Sequence, residues 1–292
     1  MKTALSPLDA LLAVAIMFVW GTNFVVIHVA LGVLPPLLFA ALRFTFVFVP
    51  LAVFLPRPKI RWSNLAGYGV AIGLGQFGIL FIAMNGRMSP GLASLVEQMQ
   101  VFFTIGLSML RNAERVGPHQ ILACLLAIAG MGVIVAHNGQ GATLLGVILT
   151  LCAAASWALG NQFAKEAGQV KMLAYVVWAS LFSLLPLYGL SLALEGPAAI
   201  LAGLKHAGFT IWAAVLWQSV GNTMFGYACW AWLLSRYPAA AIAPMSLLVP
   251  VFGMAASDIW LGEPIQTWKI GAAALVMAGL AVNLLWRPAA RA

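Results

Sequence analysis

Charge is what this sequence lacks. Fifteen basic and seven acidic residues make up 8% of its 292 residues, where a soluble domain carries about 25%, so a water-soluble fold is excluded. The few basic residues are scattered and form no stripe, which argues against nucleic acid as a partner. Cysteine is scarce too. Cys124, Cys152 and Cys229 are odd in number and lie in apolar runs, which excludes a disulfide framework and a cysteine-built metal site and leaves them as expected packing residues. There is no G-x-S-x-G elbow, no H-E-x-x-H pair, no P-loop and no cluster of intramembrane acids. Lys165 stands at a helix end, poorly placed for a Schiff-base pigment. Nothing therefore points to an enzyme, and neither a cofactor nor a metal is expected. Strict apolar–polar alternation is also missing, so a β-barrel is excluded. No small-residue cleavage site follows the first apolar run, and that run is expected to stay as a helix.

What is abundant is apolar surface. Hydrophobic residues make up 63% of the chain and its mean hydropathy is +1.00. About 20 apolar residues cross a bilayer as a helix, and breaks rich in Pro, Gly and charge divide the chain into ten such runs. The predicted spans are 8–30, 36–55, 64–85, 90–110, 118–137, 144–164, 172–194, 208–234, 238–260 and 267–286. The longest expected non-helical stretch is Glu195 to Ala207. The reading is an all-α polytopic membrane protein. Counting Lys and Arg at the span ends orients it. With the N-terminus inside, 11 lie in cytoplasmic segments, among them Arg57, Lys59 and Arg61, and three (Arg87, Lys205 and Lys269) lie outside. Both termini are expected in the cytoplasm.

The two halves repeat. Gly73, Gly78, Pro90 and Ala93 recur 148 residues later as Gly221, Gly226, Pro238 and Ala241. Glu114, Ile121, Ala129 and Gly130 recur 149 later as Glu263, Ile270, Ala278 and Gly279. A repeat of five helices is odd-numbered, so its second copy enters the membrane upside down. The expectation is two inverted five-helix repeats, 1–138 and 139–292, around a central cavity, an arrangement common in transporters. Duplication in a membrane protein of another kind is the competing reading.

The segments WGTNFVVIHVAL (Trp20 to Leu31), ALRFTFVFVPLAVF (Ala41 to Phe54), SPGLASLVEQMQVFFT (Ser89 to Thr104) and APMSLLVPVFGMAASDIWLGEPI (Ala243 to Ile265) carry a family resemblance. Through them the chain resembles the drug/metabolite transporter superfamily and its ten-helix EamA-type exporters, most closely the YddG-type amino-acid exporters. The resemblance covers essentially the whole chain. It implies a cavity lined by spans 1, 3, 4, 6, 8 and 9, with the other spans outside them. One departure stands out. Where relatives often read Asn-Tyr-Leu-Trp-Pro in span 4, this chain reads Glu97-Gln98-Met99-Gln100-Val101, so its cavity is expected to be more polar.

Glu97 is the one carboxylate deep inside a span. An ionised group there must face a cavity, find a partner or stay protonated, so it either meets a substrate ammonium or proton, or bonds a neighbouring helix. Its repeat counterpart is Met245. Glu97 and Gln100 share a helical face, with Thr104 a turn on, while Gln98 is expected to turn toward another helix. Trp20 and Asn23 with Phe24, Gln76, Phe77 and Phe81, Trp157 and Asn161, and Gln218, Asn222 and Phe225 complete the expected lining, with packing or lipid contact as the alternative for each aromatic. Arg43 is expected near the outer surface, snorkelling or capping a helix, or less favourably meeting a substrate carboxylate. Trp62 and Trp286 are expected in the interfacial belt. Gly73, Pro244 and Pro250 are candidate hinges or simple packing and kink positions, and Pro186 is expected to interrupt span 7.

The function these readings favour is a secondary transporter of the cytoplasmic membrane. It would export small amphipathic metabolites, amino acids first, with aromatic or cationic drugs as further candidates. With no second acid or histidine near Glu97 in sequence, a facilitative exporter is favoured over a proton-coupled one. A membrane enzyme and a non-transporting scaffold or channel are the alternatives. The expected partners are a small-molecule substrate and the lipid bilayer, with a monomer favoured.

Overall fold

The computed structural model describes residues 6–112, 118–237 and 243–285. They are nearly all helical, with no strand among them. Numbering follows the chain: α1 is Pro7–Leu31, α2 Pro36–Leu51, α3 Trp62–Met84, α4 90–112, α5 Pro118–Ala136 and α6 Leu144–Glu166. Then come α7 Met172–His206, α8 209–236, α9 243–261 and α10 Thr267–Leu285. Five of these (α1, α3, α5, α6 and α7) are long and apolar enough to cross a membrane, and α2, α9 and α10 carry shorter apolar stretches.

Local chemistry sets the starts. Ser6 caps α1, its hydroxyl accepting from Asp9 N at 3.2 Å, and Pro7 follows where a missing N–H costs nothing. Thr143 caps α6 through Gly146 N at 3.0 Å. Proline also opens α2, α4 and α5. Glu195 to Ala207, expected to be irregular, is mostly helix. Gly196, at φ 79°, redirects the chain, and Gly196–His206 then winds up because Pro197 sits in its first turn, followed by Ala and Leu residues. Pro186 removes a backbone donor inside α7 without ending it: the α-helix runs on to Leu190 and widens to a π-helical turn over Ser191–Glu195.

Several helices depart from α-geometry. The middle of α3 is π-helical over Val70–Gly78, and the middle of α8 over Trp217–Phe225. In α4, Glu97–Met99 is a 3₁₀ turn, and α9 opens with one over Ala243–Leu247.

Packing pairs α5 with α10, α2 with α7, α1 with α9 and α8, α3 with α6 and α7, and α4 with α6 and α9. Small residues let the backbones approach. A methyl on Gly21 of α1 would lie 2.6 Å from Phe252 Cβ and Val249 O of α9. One on Gly73 would strike the Ser183 side chain of α7, so Gly73 is a close-packing position outside the cavity.

The two ends of the bundle differ in how they are tied. At one end Tyr237 donates to the Asp9 carboxylate, and Trp178 Nε1 donates to Leu55 O at 2.9 Å. At the other, Met88 and Ala142 bridge two loops, the Glu195 carboxylate accepts from Leu37 N and Leu38 N, and Glu263 gathers the start of α4. Cys124 and Cys152, expected as packing residues, are exposed, and Cys229 is half-buried. Trp62 is 46% exposed with the Arg57 guanidinium 4.0 Å from its ring, consistent with a position at the bundle's rim. Trp286 lies outside the described residues.

Candidate functional site

At the centre of the bundle a cavity of about 50 Å³ is bounded by six helices. Trp20, Asn23, Phe24 and Ile27 come from α1, Gln76, Phe77 and Leu80 from α3, and Glu97 and Gln98 from α4. Trp157 comes from α6, Asn222 and Tyr227 from α8, and Val249 from α9.

Most of the polar side chains stand where helices leave α-geometry. Gln76 lies in the π-helical part of α3, Gln218 and Asn222 in that of α8, and Glu97 and Gln98 in the 3₁₀ turn of α4. Such turns displace backbone bonds and re-aim side chains. Trp20 Nε1, for example, donates to the Asn222 carbonyl at 3.2 Å.

Arg43 is not at a surface. It sits in the middle of α2 and is 0% exposed. Its Nη1 donates to Gln218 Oε1 at 2.9 Å, and its Nε and Nη2 to Thr223 Oγ1 at 3.2 and 2.8 Å. The guanidinium lies 3.5 Å from the centroid of Phe77. A buried cation without a carboxylate is tolerable only when neutral acceptors and an aromatic face replace its water, and α8 supplies the acceptors.

Glu97 is the opposite case. It is 1% exposed, and among the described residues none gives either carboxylate oxygen a hydrogen bond within 3.5 Å, the Gln76 side chain being the polar group that approaches it. Asn23 Oδ1, Gln76 Oε1 and Gln218 Nε2 are also buried and unpartnered. Native proteins leave few such groups, so their concentration around one cavity marks it as the place where a polar ligand fits.

Of the residues expected to line the cavity, Trp20, Asn23, Gln76, Phe77, Glu97, Trp157 and Asn222 do so. Gln218 stands behind, touching Asn23, Asn222 and Arg43. Gln100 does not share the cavity with Glu97. Asn161 Nδ2 donates to its Oε1 at 3.1 Å and to Thr104 Oγ1 at 3.3 Å, which ties the Gln100 side chain between α4 and α6. Gln98, expected to turn away, faces the cavity beside Glu97, since adjacent long side chains can flank a space enclosed on several sides. Phe81 is fully buried and stacks on Phe39 at 4.8 Å. Phe225 is 37% exposed, and Met245 packs part-buried against the core. Pro250 is buried just after the 3₁₀ opening of α9, in the first turn of its α-helical part. Pro244 falls in the 3₁₀ opening of α9.

Tyr227 escaped sequence reasoning, which followed a 3.6-residue period. It follows Asn222 by five residues, the step that a π-turn brings back to the same face. The signal available was the clustering of Gly and small polar residues around Gly221.

A second carboxylate, half-buried, closes one end. Glu263, in the turn after α9, accepts from Ser89 Oγ at 2.5 Å, Gly91 N at 3.3 Å and Lys269 Nζ at 2.8 Å, and from Ser257 Oγ. Burial alone would raise its pKa. The bonds from Lys269, Ser257 and Ser89 outweigh that and hold the carboxyl below the ordinary carboxylate range. Its position at the start of α4 also suits the helix dipole.

Long apolar helices around a polar, aromatic-walled centre define a multi-pass helical membrane protein. The EamA-like transporter family matches residues 8–136 and again 144–285. The chain belongs to this family, in the drug/metabolite transporter superfamily, and so is of transporter and not enzyme type. It is 42% identical to a probable amino-acid metabolite efflux pump of Salmonella typhimurium, over 96% of each chain. It is 40% identical to a protein of the same description from Escherichia coli, over 98% of this chain and 99% of that one. A solved crystal structure, 19% identical, matches in fold with a TM-score of 0.65 over 95% of this chain and 96% of its own.

Proposed function

We propose that this protein exports amino acids or similar small amphipathic metabolites across the cytoplasmic membrane by alternating access. The observation that carries the reading is the central cavity, drawn from α1, α3, α4, α6, α8 and α9, with one carboxylate, four side-chain amides and an aromatic wall. Amides offer donor and acceptor together, aromatics accept an apolar side chain or a cation, and both relatives described above carry amino-acid metabolite efflux in their names. A ligand pocket of working size holds about 300–1,000 Å³. A cavity of about 50 Å³ must widen before it admits an amino acid, and helix movement of that kind is what alternating access needs.

In this reading ten helices span the membrane as two inverted repeats, 1–138 and 139–292, with both termini cytoplasmic. Support comes from the irregularities: the nine-residue π-helical stretches of α3 and α8 begin at Val70 and Trp217, close to the sequence repeat of 148. The packing pairs also survive exchange of the halves, α1 with α9 becoming α6 with α4, and α3 with α6 becoming α8 with α1. Trp20, Asn23, Gln76, Phe77, Glu97, Trp157 and Asn222 bind substrate, and Gly73 keeps α3 against α7 as the bundle moves.

Glu97 has no acid or histidine beside it in the cavity to pass a proton on, so transport is facilitative, driven by high internal metabolite. Purified protein in liposomes should show saturable counterflow of labelled amino acids, unchanged by an imposed pH gradient. Uphill accumulation on that gradient would overturn the facilitative reading, and absence of any amino-acid flux would overturn the exporter reading.

A further inference from the structure

We propose that the central cavity is a receptor for the protonated primary amino group of the substrate, and that Arg43 sets this preference from outside it through Gln218. The proposal rests on the exporter reading and specifies what its site takes. Among the described residues, the buried side-chain atoms without a hydrogen bond within 3.5 Å are four acceptors, the two Glu97 oxygens, Asn23 Oδ1 and Gln76 Oε1, against one donor, Gln218 Nε2. The cavity itself is bordered by Asn23, Gln76 and Glu97. A site built for a carboxylate would show spare donors. One with spare acceptors and a desolvated carboxylate matches a group that brings several N–H donors and a positive charge. An ammonium does so, and the cavity's Trp20 and Trp157 supply aromatic faces that attract a cation.

The acceptor surplus is imposed from behind the cavity. A guanidinium only donates, so Arg43 Nη1 admits only the oxygen of Gln218, at 2.9 Å. That oxygen in turn takes the Nδ2 groups of Asn23 and Asn222, each at 3.4 Å. With its donor committed, Asn23 presents Oδ1 to the cavity. Arg43 is thus a positioning residue. It is held by Thr223 and by the face of Phe77, and it is absent from the residues bounding the cavity.

The test uses full-length protein and matched probes: L-phenylalanine, phenethylamine and 3-phenylpropanoate, and the corresponding set from L-methionine. Binding is read by thermal shift in detergent, and flux in liposomes. Probes with an ammonium should bind at least roughly tenfold more tightly than their des-amino partners, as expected for charge-assisted hydrogen bonds. Glu97→Gln should bring that ratio near one while the protein stays folded. Arg43→Met should lower the same ratio, and Arg43→Lys, which keeps a donor for Gln218, should restore most of it. A purely structural Arg43 would lower overall flux and leave the ratio alone. Equal binding of the des-amino acids, or no binding of any ammonium probe, overturns the proposal. So does stabilisation by sodium or potassium chloride over N-methylglucamine chloride that Glu97→Gln removes, because that would place an inorganic cation at the site. Amine binding without amino-acid flux would keep the ammonium receptor and reject the amino-acid exporter.

Discussion

Glu97, fully buried, and Glu263, half-buried, are opposites in this bundle. Glu263, at one end, takes hydrogen bonds from Ser89, Gly91, Ser257 and Lys269 and joins α4, α9 and α10. Glu97, in the 3₁₀ turn of the same α4, has no hydrogen bond within 3.5 Å among the described residues, with only the Gln76 side chain approaching it. Both lose water on burial, and only the first regains equivalent contacts. A fully bonded carboxylate holds structure, whereas one that the fold leaves unmet stores an interaction for a ligand.

The contrast predicts opposite signs. The largest effect should come from Glu263→Ala, which strands the Lys269 ammonium, 6% exposed, without its carboxylate. A loss of about 3–5 kcal/mol is expected for leaving a buried ammonium uncompensated, read as a lower unfolding midpoint in detergent. A change under about 1 kcal/mol would show the end of the bundle to be held by other contacts. Next in size, Glu97→Gln should leave the ligand-free protein as stable as wild type or up to about 2 kcal/mol more stable, because it removes a buried carboxyl group whose bonds are unmet. Destabilisation matching that of Glu263→Ala would break the comparison.

The smallest effect should be the pH dependence at Glu263. Its pKa is lowered in the folded protein, so its contribution is fully present above the ordinary glutamate value of about 4.3. It is lost as pH falls through the lower folded value. Unfolding midpoints should therefore fall more steeply below about pH 4 in wild type than in Glu263→Gln. Parallel curves would mean that the carboxyl is not held down by Lys269 and the two serines.

The positions of most helices were legible in the sequence, Gly196–His206 excepted, and so was much of the cavity wall. Apolar runs of span length bounded by Pro, Gly and charge leave the backbone few alternatives in hydrocarbon, where each N–H and C=O must bond within its own segment. Helix starts followed from residues such as Ser6, Pro7 and Thr143, whose effects are local. Glu97, Gln76, Asn23 and Asn222 could be singled out because a polar side chain in an apolar run needs a reason to be there.

Tertiary structure decided the rest. Whether Arg43 snorkels or is sealed inside depends on Gln218 and Thr223, 175 and 180 residues away, and no window of sequence contains both sides of that contact. Whether Gln98 or Gln100 faces the cavity depended on Asn161 reaching Gln100 from α6. Tyr227 joined the wall through a π-turn that shifts the helical period. Composition and periodicity therefore determined which segments are helices and which side chains were costly to bury. Only the packing of the helices determined which of those side chains met partners and which were left for a ligand, because satisfaction of a buried polar group is a property of its neighbours in space.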